Sequence, residues 1–193
     1  MDLDAAFEFS RYASRLRTGQ PELATQVLRA IDRPASIDTG DLGVDGAAPD
    51  AAALAAALRA LRARVGLATL LRDLTGRANL TEVCATQTRL AELAIEAAVG
   101  VHHQLLVRTH GEPLGADSGE PQRLIVVAMG KLGGAELNAS SDVDLVFAYP
   151  EDGATTGPKR LANQEFSTAS GGVSLQHSAT LPPRGLCFAS TCA

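Results

Sequence analysis

The sequence predicts an α+β fold in which a helical amino-terminal module precedes the start of a sheet. Three observations carry that expectation. Apolar residues recur at helical spacing through most of residues 1–108, a turn-rich stretch follows at 110–122, and two strand-like apolar runs lie close together at 124–129 and 143–149. The expected division is a helical module over 1–108 with a loop at about 32–50, a partial core over 109–166, and a tail over 167–193 that matches neither.

The elements are taken in order. From Leu3 to Ile31 the positions Phe7, Tyr12, Leu16, Leu23, Val27 and Leu28 suit one helical face, and Gly19 with Pro21 breaks the run into two short helices. Residues 32–50 are rich in Asp, Gly and Pro and read as an exposed loop ending at Asp50, an N-cap for the helix over 51–74. That helix carries a stripe of Leu54, Leu58, Leu61 and Val65, with Gly66 its one weak point and Gly76 its end. A further helix is expected from about Thr81 to Val107, with Glu82 in the first turn, where the helix dipole favours negative charge. Beyond the break, Leu124–Met129 is an unbroken apolar run of the kind covered on both faces, and Val143–Tyr149 is a second strand.

Composition narrows the function classes. The 193 residues are 46% hydrophobic, which suits a packed core, and the net charge of −5 argues against a general nucleic-acid binder. No secretory signal opens the chain and the apolar run at 124–129 is far short of a membrane span, so no membrane role and a cytoplasmic setting are expected. Cys84, Cys187 and Cys192 are odd in number and form no C-x-x-C pair, and the four histidines show no metal-ligand spacing. Unpaired thiols and surface or helix-end histidines are the expected readings.

The chemistry is concentrated between the two strands. Asp142 and Asp144 lie one residue apart at the start of a strand, so both side chains point to one face and offer hard oxygen ligands to a divalent metal. Gly130, Gly133 and Gly134 let a backbone approach a phosphate closely, and Lys131 adds a charge. The same glycines also suit a plain tight turn, and the same aspartates a solvated strand start. The loop is neither a Walker A sequence nor G-x-G-x-x-G. Glu136, Asn138, Ser140 and Ser141 are suited to capping, turn formation or ligand hydroxyls.

The glycine pair followed by Asp-Val-Asp-Leu resembles the DNA polymerase β-like nucleotidyltransferase superfamily. More narrowly, MGKLGGAELNASSDVDLVFAYP resembles the bifunctional glutamine synthetase adenylyltransferase/adenylyl-removing family, in its amino-terminal, adenylyl-removing copy, and the likeness extends over about residues 5–166. The resemblance implies an incomplete polymerase β-like sheet and phosphorolysis of adenylyl-tyrosine on glutamine synthetase, giving ADP. It implies Asp142 and Asp144 as catalytic residues holding Mg2+, with Gly133, Gly134, Lys131 and Ser141 binding nucleotide or phosphate. It also implies glutamine synthetase, ATP/ADP, phosphate and a PII-type signalling protein as partners. Two rivals stand beside it: a non-catalytic helical interaction module with a degenerate nucleotide-binding loop, and a uridylyl-transferring sensor, which the Gly-Gly-x-Glu-Leu-Asn wording disfavours.

After Phe166 the likeness stops. The family continues with an Arg-rich helix and a strand holding a third carboxylate, whereas residues 167–193 are rich in Ser, Ala, Gly and Thr. Read with a two-base offset and free bases chosen, this region yields LHRLGRRLIAALSDATAAGLVFRVDMR, which restores those elements. A frame-shifted, poorly ordered tail and negligible activity of the chain alone are therefore expected.

Overall fold

A computed structural model describes residues 1–42, 50–139, 141–177 and 186–190. The amino-terminal helices number three rather than two: α1 (Leu3–Phe9), α2 (Arg11–Gly19) and α3 (Pro21–Arg29). The extra break falls at Ser10, whose hydroxyl accepts from the Ala13 amide at 3.3 Å and starts α2 in extended backbone. A capping serine interrupts the chain without interrupting the apolar period. The loop after α3 is partly anchored, since Leu42, at the end of a 3-10 turn over Thr39–Leu42, is 6% exposed among the helical core residues. Residues 43–49 of the expected loop lie outside the described residues.

Helix α4 (Ala51–Leu74) begins where Asp50 accepts from the Ala52 and Ala53 amides at 2.8 and 3.2 Å. Its stripe of Leu54, Leu58, Leu61 and Val65 packs on Leu90, Leu93, Ala94 and Val101 of α5 (Leu80–His110). The opposite side of α4 buries Leu67 and Leu71 against Phe7, Ala13, Ala24 and Val27 of α1 to α3. Each large aliphatic side chain so buried contributes roughly 2 kcal/mol, which makes α4 the spine of the module. Gly66 admits Tyr12, because a Cβ there would stand 3.2 Å from the tyrosine hydroxyl. Helix α5 is long and apolar enough to cross a membrane by length and composition, yet its Leu90, Leu93, Ala94, Ala98 and Val101 belong to this core.

The α/β part starts with a two-stranded ribbon, β1 (Pro113–Gly115) antiparallel to β4 (Gly153–Thr155). Asn163, 1% exposed, ties the ribbon to the last helix by donating to the carbonyls of Leu114 and Glu151, both at 3.0 Å. The main sheet has the order β2-β3-β5, with β2 (Ile125–Ala128) antiparallel and β5 (Leu186–Ser190) parallel to β3 (Leu145–Tyr149). One turn of helix, α6 (Gly130–Gly133), comes directly after β2, and α7 (Asn163–His177) precedes β5. The sheet's inner face buries Leu145 and Phe147 with Leu132, Leu137, Val143 and Ala91.

The expectation that 124–129 is covered on both faces does not hold. Ile125, Val127 and Met129 are 44%, 44% and 48% exposed, because β2 is an edge strand whose outer face carries no helix among the described residues. Within the expected tail, residues 167–177 belong to α7, which begins at Asn163, and 186–190 form β5, while 178–185 and 191–193 lie outside the described residues. Cys84 is a free thiol; the side chains of Cys187 and His177, and all of Cys192, also lie outside.

Candidate functional site

Strand periodicity places the two aspartates. Val143, Leu145 and Phe147 turn into the core at 5%, 3% and 1% exposure, so Asp142 and Asp144, between and before them, point out of the opposite face. The Met129 amide donates to the Asp144 carbonyl at 2.9 Å, continuing the β2–β3 ladder to the level of the carboxylates. Ile125, Val127 and Met129 alternate onto that same open face. The pair therefore stands at one end of an exposed apolar platform.

The glycine loop lies beside it. Gly130 has φ +56°, and a Cβ there would come within 4.0 Å of Asp144 Oδ2, so the turn begins directly against that carboxylate. At Gly133 a Cβ would be 2.4 Å from the Ala128 carbonyl oxygen, so glycine lets α6 fold back onto β2. The Gly133 and Gly134 amides donate to the carbonyls of Met129 and Gly130 at 3.2 and 3.0 Å, and Ala135, left-handed at φ 57°, closes the turn. Lys131 is exposed on it. Both glycines of the pair thus have a role in the turn itself.

Ser141 is held before the strand. Its hydroxyl donates to Asn138 Oδ1 at 2.8 Å, and its amide donates to the Asn138 carbonyl at 3.2 Å, closing a β-turn that leads into Asp142. Leu137, 4% exposed, pins the other end of the loop in the core. Ser140 lies outside the described residues. Asp142, Asp144, Lys131, the glycines and Ser141 are all in this one loop-and-strand unit.

The donor set suits one kind of metal site. Among the described residues no group of three or more His, Cys, Asp or Glu converges, so a closed all-protein cage is absent there. Two adjacent exposed carboxylates instead match the way Mg2+ is usually held, with waters and substrate phosphates completing its shell. The glycine reading named Gly130 but not its place against Asp144, and sequence reasoning missed the row Ile125, Val127 and Met129. The only signal for the row was its position, since LIVVAM is apolar throughout and hides the alternation.

A mixed sheet backed by helices, with paired carboxylates and a glycine turn on its open side, is suited to group transfer at phosphorus. Comparison with known proteins narrows this. The sequence model of the glutamate-ammonia ligase adenylyltransferase family matches residues 2–175, and the chain belongs to that family, one of nucleotidyl-transferring enzymes. It is 46% identical over 165 residues to a bifunctional glutamine synthetase adenylyltransferase/adenylyl-removing enzyme of Chromobacterium violaceum, covering 85% of this chain and 18% of that protein. Proteins of the same description are 45% identical over 175 residues in Ralstonia nicotianae and 40% over 183 residues in Aromatoleum aromaticum, covering 88% and 95% of this chain. The chain spans about a fifth of the length of these relatives.

Proposed function

We propose that this chain is part of an enzyme controlling glutamine synthetase by reversible adenylylation, and that it belongs to the half that removes the adenylyl group. The observation that carries this is Asp142 and Asp144 on one open strand face, with Asp144 against Gly130, within the wording GKLGGAELNASSDVDL. The relatives' names, which join adenylyltransferase and adenylyl-removing activities, support it. In the reaction a phosphate oxygen attacks the adenylyl phosphorus, the bond to the tyrosine oxygen breaks, ADP forms, and the tyrosine oxygen takes a proton. Asp142 and Asp144 would hold Mg2+, and the ion would neutralise charge developing on the phosphoryl oxygens. Lys131, exposed on the loop, would supply a positive charge, and the hydrogen bonds between Ser141 and Asn138 come directly before Asp142. The proposed setting is cytoplasmic, with a PII-type protein as the regulator.

We expect Mg2+-dependent ADP or ATP binding by the purified chain, measured by calorimetry, to fall at least tenfold, about 1.4 kcal/mol, in Asp142→Asn with the fold unchanged. Equal binding with and without Mg2+, or in the variant, would favour the non-catalytic helical module. Phosphate-dependent ADP release from adenylylated glutamine synthetase is expected to be negligible for the 193-residue chain; measurable release would refute that. The same reading holds that the frame shifts after about Gln164–Phe166. An intact frame on resequencing would overturn it.

A further inference from the structure

Apolar side chains lie together on the open face of the sheet. Ile125, Val127 and Met129 of β2 are 44%, 44% and 48% exposed, and across the ladder on β3 half-buried Val146 stands opposite Val127 and half-buried Ala148 opposite Ile125. Residues directly opposite in an antiparallel pair share a face, so these side chains form one patch, two strands wide. Exposed apolar side chains scattered singly are ordinary, whereas a contiguous apolar patch with polar groups at its border marks an interaction site.

The patch begins at the carboxylates. The Met129 amide donates to the Asp144 carbonyl at 2.9 Å, so the two residues are neighbours across the ladder, and Asp142 precedes Asp144 on the same face. From Met129 to Ile125 are four residue steps, ~13 Å along the strand at ~3.3 Å each. An element lying across this row would also crowd the approach to Asp142 and Asp144. A face that admits substrate to the carboxylates therefore presents the row to the same substrate.

The side chains themselves select the occupant. A nucleobase is held by polar groups set against its edges or by an aromatic ring stacked on its plane, and Ile, Val, Met and Ala supply neither. An apolar patch bordered by charge instead has the anatomy of a protein interface, an apolar centre with a polar rim. The substrate of the proposed reaction is a tyrosine within a protein, and its flanking chain has to come with it to the carboxylates. We propose that the face formed by Ile125, Val127, Met129, Val146 and Ala148 is the docking surface for that protein, taking apolar residues next to the adenylyl-tyrosine of glutamine synthetase. The inference rests on the reading of Asp142 and Asp144 as an adenylyl-removing site, and adds where the substrate's polypeptide lies.

Biolayer interferometry with immobilised adenylylated glutamine synthetase and the purified 193-residue chain tests it. The double variant Ile125→Thr, Val127→Thr keeps β-branched strand formers at exposed positions, and circular dichroism should show its fold retained. It is expected to bind glutamine synthetase roughly tenfold more weakly than the parent chain, with its Mg2+-dependent ADP binding equal to the parent's. Val127→Ile, which keeps the face apolar, should bind both as the parent does. No binding by the parent chain, equal binding by parent and double variant, or equally tight binding of the parent to serum albumin would overturn the proposal. Loss of ADP binding in the double variant with protein binding intact would overturn it in favour of a nucleotide on this face. Asp142→Asn answers for the carboxylates separately: unchanged ADP binding there overturns the reading of that pair, whereas unchanged protein binding in the double variant overturns only the docking surface.

Discussion

Arg72 shows how one residue can join three elements. It is 4% exposed at the end of α4, and its guanidinium donates to Glu82 Oε1 and Oε2 at 2.7 and 3.0 Å, to the Ile31 carbonyl at 2.6 Å and to the Arg77 carbonyl at 3.0 Å. The end of α3, the α4–α5 turn and the start of α5 are thereby fixed together. Removing one partner of such a pair leaves a buried charge uncompensated, so Glu82→Ala should lower stability in urea unfolding by about 3 kcal/mol. A loss below about 0.5 kcal/mol would show a solvent-screened pair. Helix-dipole reasoning places Glu82 in the sequence but does not pair it with Arg72, because the contact crosses a turn and depends on how two helices meet. Glu151 makes a pH-dependent contact of the same kind. Its carboxylate accepts from the Ser118 hydroxyl and from the Ser118 and Asp117 amides, and these bonds hold its pKa below the ordinary glutamate value of 4.5. A depressed folded pKa means the contribution is complete above the ordinary value and is lost as pH falls through the folded one. Amide exchange at Asp117 and Ser118, corrected for intrinsic rate, should accelerate on acidification below about pH 4.5, and Glu151→Gln should remove most of that dependence.

At the scale of elements, the glycine loop separates two roles that look alike in sequence. Gly133 packs α6 onto β2 with no room for a methyl group, whereas a Cβ at Gly134 would lie 3.5 Å from the Gly130 carbonyl, an ordinary contact. Gly133→Ala should therefore destabilise by about 2 kcal/mol through a backbone shift, and Gly134→Ala by well under about 1 kcal/mol, both read as thermal unfolding midpoints. Equal effects would mean that α6 can move off β2 at little cost. Elements with strong local signals were legible: Asp50 and the leucine stripe located α4, and the change of period located β2 and β3. The ribbon of β1 and β4 was not, since each strand has three residues and their partners lie far apart in sequence. The carboxylate face followed from strand alternation alone. The open apolar row beside it did not, because exposure of an edge strand depends on what the rest of the fold leaves uncovered.

For the whole molecule, the distribution of buried surface sets where it opens first. Two clusters share α4: one joins it to α5 and Leu42, the other to α1, α2 and α3. The third cluster, under the sheet, rests on Ala91, Leu132, Leu137, Val143, Leu145 and Phe147, and its outermost strand β2 has one exposed face and a free edge among the described residues. Opening free energies span the range from near zero to the global value, with the fewest buried contacts opening most easily. Native-state hydrogen exchange should therefore find the slowest amides in α4 around Leu58–Leu71 and in α5 around Leu90–Val101. The amides of Ile125–Ala128 should exchange at least about a hundredfold faster, about 2.8 kcal/mol below the helices in opening free energy. If β2 proved as protected as α4, the sheet and helices would open as one cooperative unit and the helical module could not act as a stable base for a looser site. The expected ordering instead places the carboxylate pair on the least stable part of the chain, where β2 holds Asp144 through the Met129 amide. Nucleotide with Mg2+ at that pair should then slow exchange selectively across β2 and β3, leaving the rates in α4 unchanged.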